Sequence, residues 1–282
     1  MKIIEAIELI IKETQATEVD PNKTLDQVVS GNPEKTLTGI VTTFMATVDV
    51  INEAIKKGTN LIITHEPTWF NGHDDHSWLG NDKVYQQKKE LIETSGIVIW
   101  RFHDYMHLAK KDLIYQGFEY ELGWEKFHLE GKPDSKNPLE KAGICYQVPA
   151  TTLQDLLENL KDTLNMDVIR YIGSPNSRIE RAGLLLGGSS LGLGDERNPM
   201  KLMKDQMLDT VICGDITEWT LAAYVRDAVM LGMNKSMIII GHEKSEESGM
   251  NHLVPWIKSF IGNVDVTFVE AGEPFQYHYH KE

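Results

Sequence analysis

The chain has 282 residues, 41% of them apolar and 25% charged, with a formal net charge of −14. That length allows one large or two small domains with a sizeable core, and the acidic balance argues against direct binding to nucleic acid or anionic membranes. The two cysteines, Cys145 and Cys213, lie far apart without C-x-x-C spacing, which excludes a disulfide framework and a thiolate zinc pair and leaves buried structural thiols as the expectation.

The opening "MKIIEAIELIIKETQ" has apolar residues at helical spacing, and Glu5 and Glu8 interrupt what a secretory signal would need as an apolar core. No run approaches the ~18 apolar residues of a membrane span. A cytoplasmic protein in a reducing compartment is expected. "TGIVTTFMA" reads as a strand, and "TVDVINEAIKKG" as a helix with Thr47 as N-cap and Gly58 as its stop. The strand "NLIITH", the helix "KVYQQKKELIETSG" and the strand "IVIWRFH" follow. The polar "EGKPDSKNPLEKAG", Glu130 to Gly143, reads as a loop between two halves. After it come the strand "AGICYQVP", the helix "TLQDLLENLKDTLN", and the strand "RAGLLLGGSSLGLGD" with a Gly/Ser-rich turn. "TVICGD" is a strand, "TLAAYVRDAVMLG" a helix, "SMIIIGH" a strand, "NHLVPWIKSFIG" a helix and "VDVTFVEAG" a last strand. Alternating strands and helices predict an α/β fold. "EAIKKG…LIITHE" and "DAVMLG…MIIIGHE" share a plan, which suggests two similar α/β subdomains with mixed sheets; duplication and chance both account for so short an echo. The boundaries expected are 1–130 plus 241–282 for the first subdomain and 141–240 for the second.

Three aliphatic strands end at histidines: His65, His103 and His242. Ligands of open α/β sheets bind outside the carboxyl ends of the strands. Each exit carries further donors. Glu66 follows His65, His103 and His107 are four apart, and His242 and Glu246 are four apart, a spacing that puts both side chains on one face of a helical turn. Imidazole nitrogen with carboxylate oxygen suits zinc, iron or manganese. Five or six donors exceed one tetrahedral ion and suit two divalent ions ~3.5–4 Å apart. The expected place is the cleft between the subdomains. Neither "HEPTW" nor "HEKSE" is the H-E-x-x-H zincin pattern, and no Walker loop or G-x-S-x-G elbow is present. "LLLGGSSLGLGD" reads as a plain turn, with a phosphate cradle as the alternative. "NGHDDHSW", holding His73, Asp74, Asp75 and His76, reads as a solvated turn, with a lid beside His65 as the alternative. Glu218 in "GDITEWT" is either a first-turn acid stabilised by the helix dipole or a general base at a fourth strand exit.

In "LIITHEP", "FHDYMH", "GGSS", "CGDITEWT" and "IIIGHEKSE", in that order, the chain resembles the dinuclear-metal family named for the NGG-interacting factor three protein, also known as GTP cyclohydrolase I type 2 homologues. The resemblance implies metal ligands at His65, Glu66, His107, His242 and Glu246, with His103 beside the metals. Two positions depart from the family pattern: Glu66 stands where the family has His, and His107 where it has Asp. The exchange is reciprocal, so the number of donors and their charge are kept. The family's early Trp-Asp-Asn segment is replaced by "LDQVVSGNPEKTLTG". The resemblance further implies a hexameric toroid and a hydrolase acting on a small molecule. GTP ring opening is one candidate reaction and another cyclic, amide or phosphate substrate the other, with His103 or Glu218 shuttling protons. A non-catalytic metal-binding regulator or scaffold is the alternative.

Overall fold

In the computed structural model, which describes residues 1–278, the chain forms two mixed five-stranded sheets, each with its own helices. The chain divides into two compact units: Met1–Gly117 together with the chain from Glu247 onward, and Phe118–Glu246.

The first unit contains α1 (Ile3–Thr14), β1 (Gln27–Ser30), β2 (Ile40–Thr43), α2 (Val48–Lys57), β3 (Leu61–Thr64), α3 (Lys83–Ser95), β4 (Val98–Arg101) and the short α4 (Asp104–His107). Thr47 caps α2 through the N–H of Val50, Asp82 caps α3 through that of Tyr85, and Gly58 and Gly96 end both helices in the left-handed conformation. Strands β2, β3 and β4 run parallel and are buried along their whole length, which is why they read as mostly apolar runs without alternation. One face of this sheet packs Val41, Ile62 and Ile99 against Val50, Ile51 and Ala54 of α2 and Tyr85 and Ile92 of α3. The edge strand β1 is antiparallel to β4.

Helix α5 (Leu113–Leu122) leads into the second unit, which contains α6 (Pro138–Lys141), β5 (Cys145–Thr152), α7 (Leu153–Leu164), β6 (Arg170–Ile172), β7 (Arg178–Leu185), α8 (Asn198–Asp205), β8 (Thr210–Cys213), α9 (Ala223–Met230) and β9 (Ser236–Ile239). Its sheet runs β5-β7-β8-β9-β6, with β7, β8 and β9 parallel and both edge strands antiparallel. The polar stretch Glu130 to Gly143 lies inside this unit, where Asn137 caps α6 and donates to the carbonyl of Asn198. The pairs β2–β3 and β8–β9 are each parallel strands joined by a helix that a left-handed glycine follows, Gly58 in one and Gly232 in the other.

Helix α10 (His242–Lys258) returns the chain to the first unit, where β10 (Val266–Phe268) joins that sheet parallel to β2. Sequence periodicity placed this helix from Asn251 onward. It begins nine residues earlier because Gly241, at φ 86, turns the chain directly out of the β9 segment into a helical turn, which Ser245 joins through its N–H to the Gly241 carbonyl.

Candidate functional site

In the first unit, two buried strands, β3 and β4, deliver donors to one end of the sheet. Strand β3 stops at Thr64, and the next two backbone N–H groups, of His65 and Glu66, both donate to the carbonyl of Phe44 at the end of the β2 segment. Strand β4 stops at Arg101, two residues before His103. The rings of His65, His103 and His107 then gather. His65 stacks on His103 at 4.5 Å, and the His107 ring stands edge-on at 5.0 Å from His65 and 4.8 Å from His103. One nitrogen from each of the three lies within 4.8 Å of the others. Glu66 Oε1 is 3.9 Å from His103 Nε2.

Each imidazole is oriented through Nδ1. His65 Nδ1 faces the carbonyl of Phe102 at 3.3 Å, His103 Nδ1 faces Asp104 Oδ1 at 2.8 Å, and His107 Nδ1 faces Asp112 Oδ2 at 2.8 Å. An oxygen acceptor at Nδ1 puts the proton of a neutral ring there and the lone pair at Nε2. Metal-holding histidines are oriented in this way. The Asp104 carboxyl is held well below the usual carboxylate range, first by its hydrogen bond with His103 and, against the effect of burial, by those from the Leu25 N–H and the Thr24 hydroxyl.

Helix α4 has no cap in its own sequence. Asp26, just before β1, supplies one: Oδ1 accepts from the N–H of His103 at 2.6 Å and of Asp104 at 2.8 Å, and Oδ2 from that of Tyr105 at 3.0 Å. Burial raises the Asp26 pKa, and these three hydrogen bonds partly oppose it.

The turn after Glu66 is built, not solvated throughout. Asp74 is buried, and its Oδ1 accepts from the N–H groups of Thr68 and Trp69 at 2.7 and 2.8 Å, while His73, Asp75 and His76 are exposed. Lys88 of α3 donates to the Thr68 carbonyl at 2.9 Å beneath the rings of Trp69 and Phe70, and burial pushes its ammonium down to about 8.

In the second unit, His242 and Glu246 form the other donor set. His242 Nδ1 faces Asp215 Oδ2 at 2.8 Å, and its Nε2 is 3.1 Å from Glu246 Oε2. The turn after β7 closes against them. Gly187, at φ 50, donates its N–H to Ser245 Oγ at 2.8 Å, and a Cβ there would stand 1.8 Å from Glu246 Oε1. Glu218 heads a π-helical turn, Glu218–Ala222, and is exposed; the neighbouring Trp219 is 77% exposed.

The first unit gathers His65, Glu66, His103 and His107, the second gathers His242 and Glu246, and Glu218 lies exposed at the head of its π-helical turn. Within each set, imidazoles with Nδ1 held by oxygen and accompanied by carboxylates are donors of the kind that suits a divalent transition ion.

Residues 1–274 match the family model described as Duf34/NIF3 (NGG1p interacting factor 3). The chain belongs to this family. A Clostridium perfringens relative named GTP cyclohydrolase 1 type 2 homolog is 28% identical over 254 residues, 88% of each protein. A Clostridium acetobutylicum relative of the same name is 26% identical over 219 residues, 77% of this chain and 75% of the relative. Among solved structures, a Staphylococcus aureus hypothetical protein matches with TM-score 0.71 at 22% identity over 99% of both chains. A Bacillus cereus protein related to NIF3 matches with TM-score 0.70 at 17% identity, also over 99% of both. These structural likenesses are ones of fold.

Within this family fold, sequence reading passed over the residues that aim the donors: Asp26, Arg101, Asp112 and Asp215. Asp215 sat three residues from Glu218 in the "CGDITEWT" segment, and its carboxylate was the available signal. Asp26 is 77 residues from His103, and no local pattern announces that pairing.

Proposed function

We propose that this protein is a metal-dependent hydrolase of a small molecule, holding two divalent ions, with His65, Glu66, His107, His242 and Glu246 as the ligands. The observation that carries the reading is the orientation of the histidines: His65, His103, His107 and His242 each direct Nδ1 at an oxygen acceptor. Relatives named as GTP cyclohydrolase homologues make a purine nucleotide one candidate substrate, beside another small cyclic, amide or phosphate compound. Divalent zinc, iron or manganese would supply Lewis acidity and make water ionise near neutral pH.

The chain's own groups supply the proton handling. His103 Nε2 accepts a proton while Asp104, held ionised against Nδ1, stabilises the imidazolium that results. Glu218 is the second candidate for proton transfer, and its exposure suits contact with a substrate arriving from solvent. The proposal extends to a cytoplasmic homohexamer, as the resemblance implies. Among the described residues no helix is long and apolar enough to cross a membrane, and a net charge of −14 argues against direct contact with nucleic acid.

Elemental analysis of untagged protein tests the metal reading. The expected result is about two equivalents per chain, falling on His242→Ala and on His65→Ala. No metal, or a fraction indifferent to both changes, overturns it. The alternative reading is a metal-holding regulator without turnover. His103→Ala and Glu218→Ala separate the two: metal retained with turnover lost supports the enzyme, and both dispensable supports the regulator.

A further inference from the structure

We propose that Arg101, the last residue of β4, is the positioning residue that fixes Glu66 for metal binding, so that this carboxylate presents one oxygen; the inference rests on the metal reading above. Arg101 is only 2% exposed, and its guanidinium is spent on the Glu66 turn. Nε donates to the carbonyl of His65 at 3.2 Å, Nη1 to that of Gly72 at 2.6 Å, and Nη2 lies 3.4 Å from Glu66 Oε2. Asp74 Oδ2 is 3.8 Å from Nη1. One side chain thus grips both ends of the turn and one oxygen of the carboxylate.

The two oxygens of Glu66 are thereby given separate tasks. Oε2 faces the guanidinium, and Oε1 faces His103 Nε2 within the group of three imidazoles. A carboxylate that gives one oxygen to a buried, planar cation cannot swing freely to a two-oxygen grip, because a guanidinium is directional and permanently charged. The Glu66 carboxylate adds negative charge beside a buried end of the sheet, and Arg101 is the cation beside it. An ammonium at position 101 keeps the charge and loses the fork.

The test is a double-mutant cycle in zinc affinity, measured by competition with a chromophoric chelator on full-length apo-protein. R101K is expected to weaken zinc binding about tenfold, the scale of a lost orienting partner. In the E66Q background the same change is expected to alter affinity less than about twofold, because Arg101 acts through Glu66. R101Q and the double variant E66Q/R101Q are run alongside, with circular dichroism and melting curves, so that a misfolded R101K does not stand in for the result. Folded R101K or R101Q with wild-type zinc affinity overturns the inference, and so do losses that multiply in the double variants. A wild-type chain that takes up no zinc overturns the metal reading and this inference together, a result distinguishable from either of those.

Discussion

Lys88 and Gly187 show how single residues set conditions on the chemistry around them. Lys88 is buried under two aromatic rings with its ammonium pushed down to about 8, against ~10.4 for a free lysine. Between those values the unfolded chain holds a proton that the folded one has released. Stability therefore rises with pH across that window, with a slope below about 1.4 kcal/mol per pH unit. Denaturant unfolding of wild type and Lys88→Met at pH 7.5 to 10 checks the sign: the variant loses the slope. Gly187 acts by having no side chain. A methyl group there meets the Glu246 carboxylate, and the positive φ disfavours any L-residue by ~1–2 kcal/mol. Gly187→Ala is expected to lower the melting midpoint and weaken zinc affinity at least about tenfold as Glu246 is displaced from His242. An unchanged zinc titration would count against Glu246 as a ligand.

Elements carry the next level of constraint. Helices α5 and α10 meet through glycines: a Cβ on Gly117 would stand 2.5 Å from Gly249 Cα, and one on Gly249 would stand 2.7 Å from Ile114 Cα. Gly249→Ala improves helix propensity by ~0.5–1 kcal/mol yet forces two backbones apart. The expected net result is destabilisation by ~1–2 kcal/mol, read as a melting midpoint lower by several degrees. The elements that sequence made legible are those with a complete local signal. Strands β3, β4 and β9 are buried throughout and mostly apolar, and α2 and α3 carry both caps in their own sequence. Edge strands β1 (QVVS) and β6 (RYI) went unread because they are short, partly exposed and paired on one side. Helix α5 (LIYQGFEYEL) has apolar residues on several faces and a glycine inside it, which blurs the periodicity. The candidate donors His65, His103 and His242 were visible as the polar ends of apolar runs. Their orienting partners were not, since Asp26 and Arg101 act across 77 and 36 residues of sequence.

At the scale of the molecule, each unit has its own sheet, and the sheet of the first unit is assembled from two separated stretches of chain. Burial at this scale also silences the thiols. Burial pushes Cys145 up to about 12 and Cys213 further, so neither forms the reactive thiolate at neutral pH. The late position of β10 bears on how the protein is made. A ribosome releases β2, β3 and β4 long before Val266–Phe268, while every residue of Phe118–Glu246 emerges in between. At roughly 5–20 residues per second, the β2 edge waits on the order of ten seconds or more for its neighbour. During that interval an exposed row of backbone donors and acceptors is open to any passing strand. Nascent-chain quality control, more than the finished fold, is where this topology makes its demand.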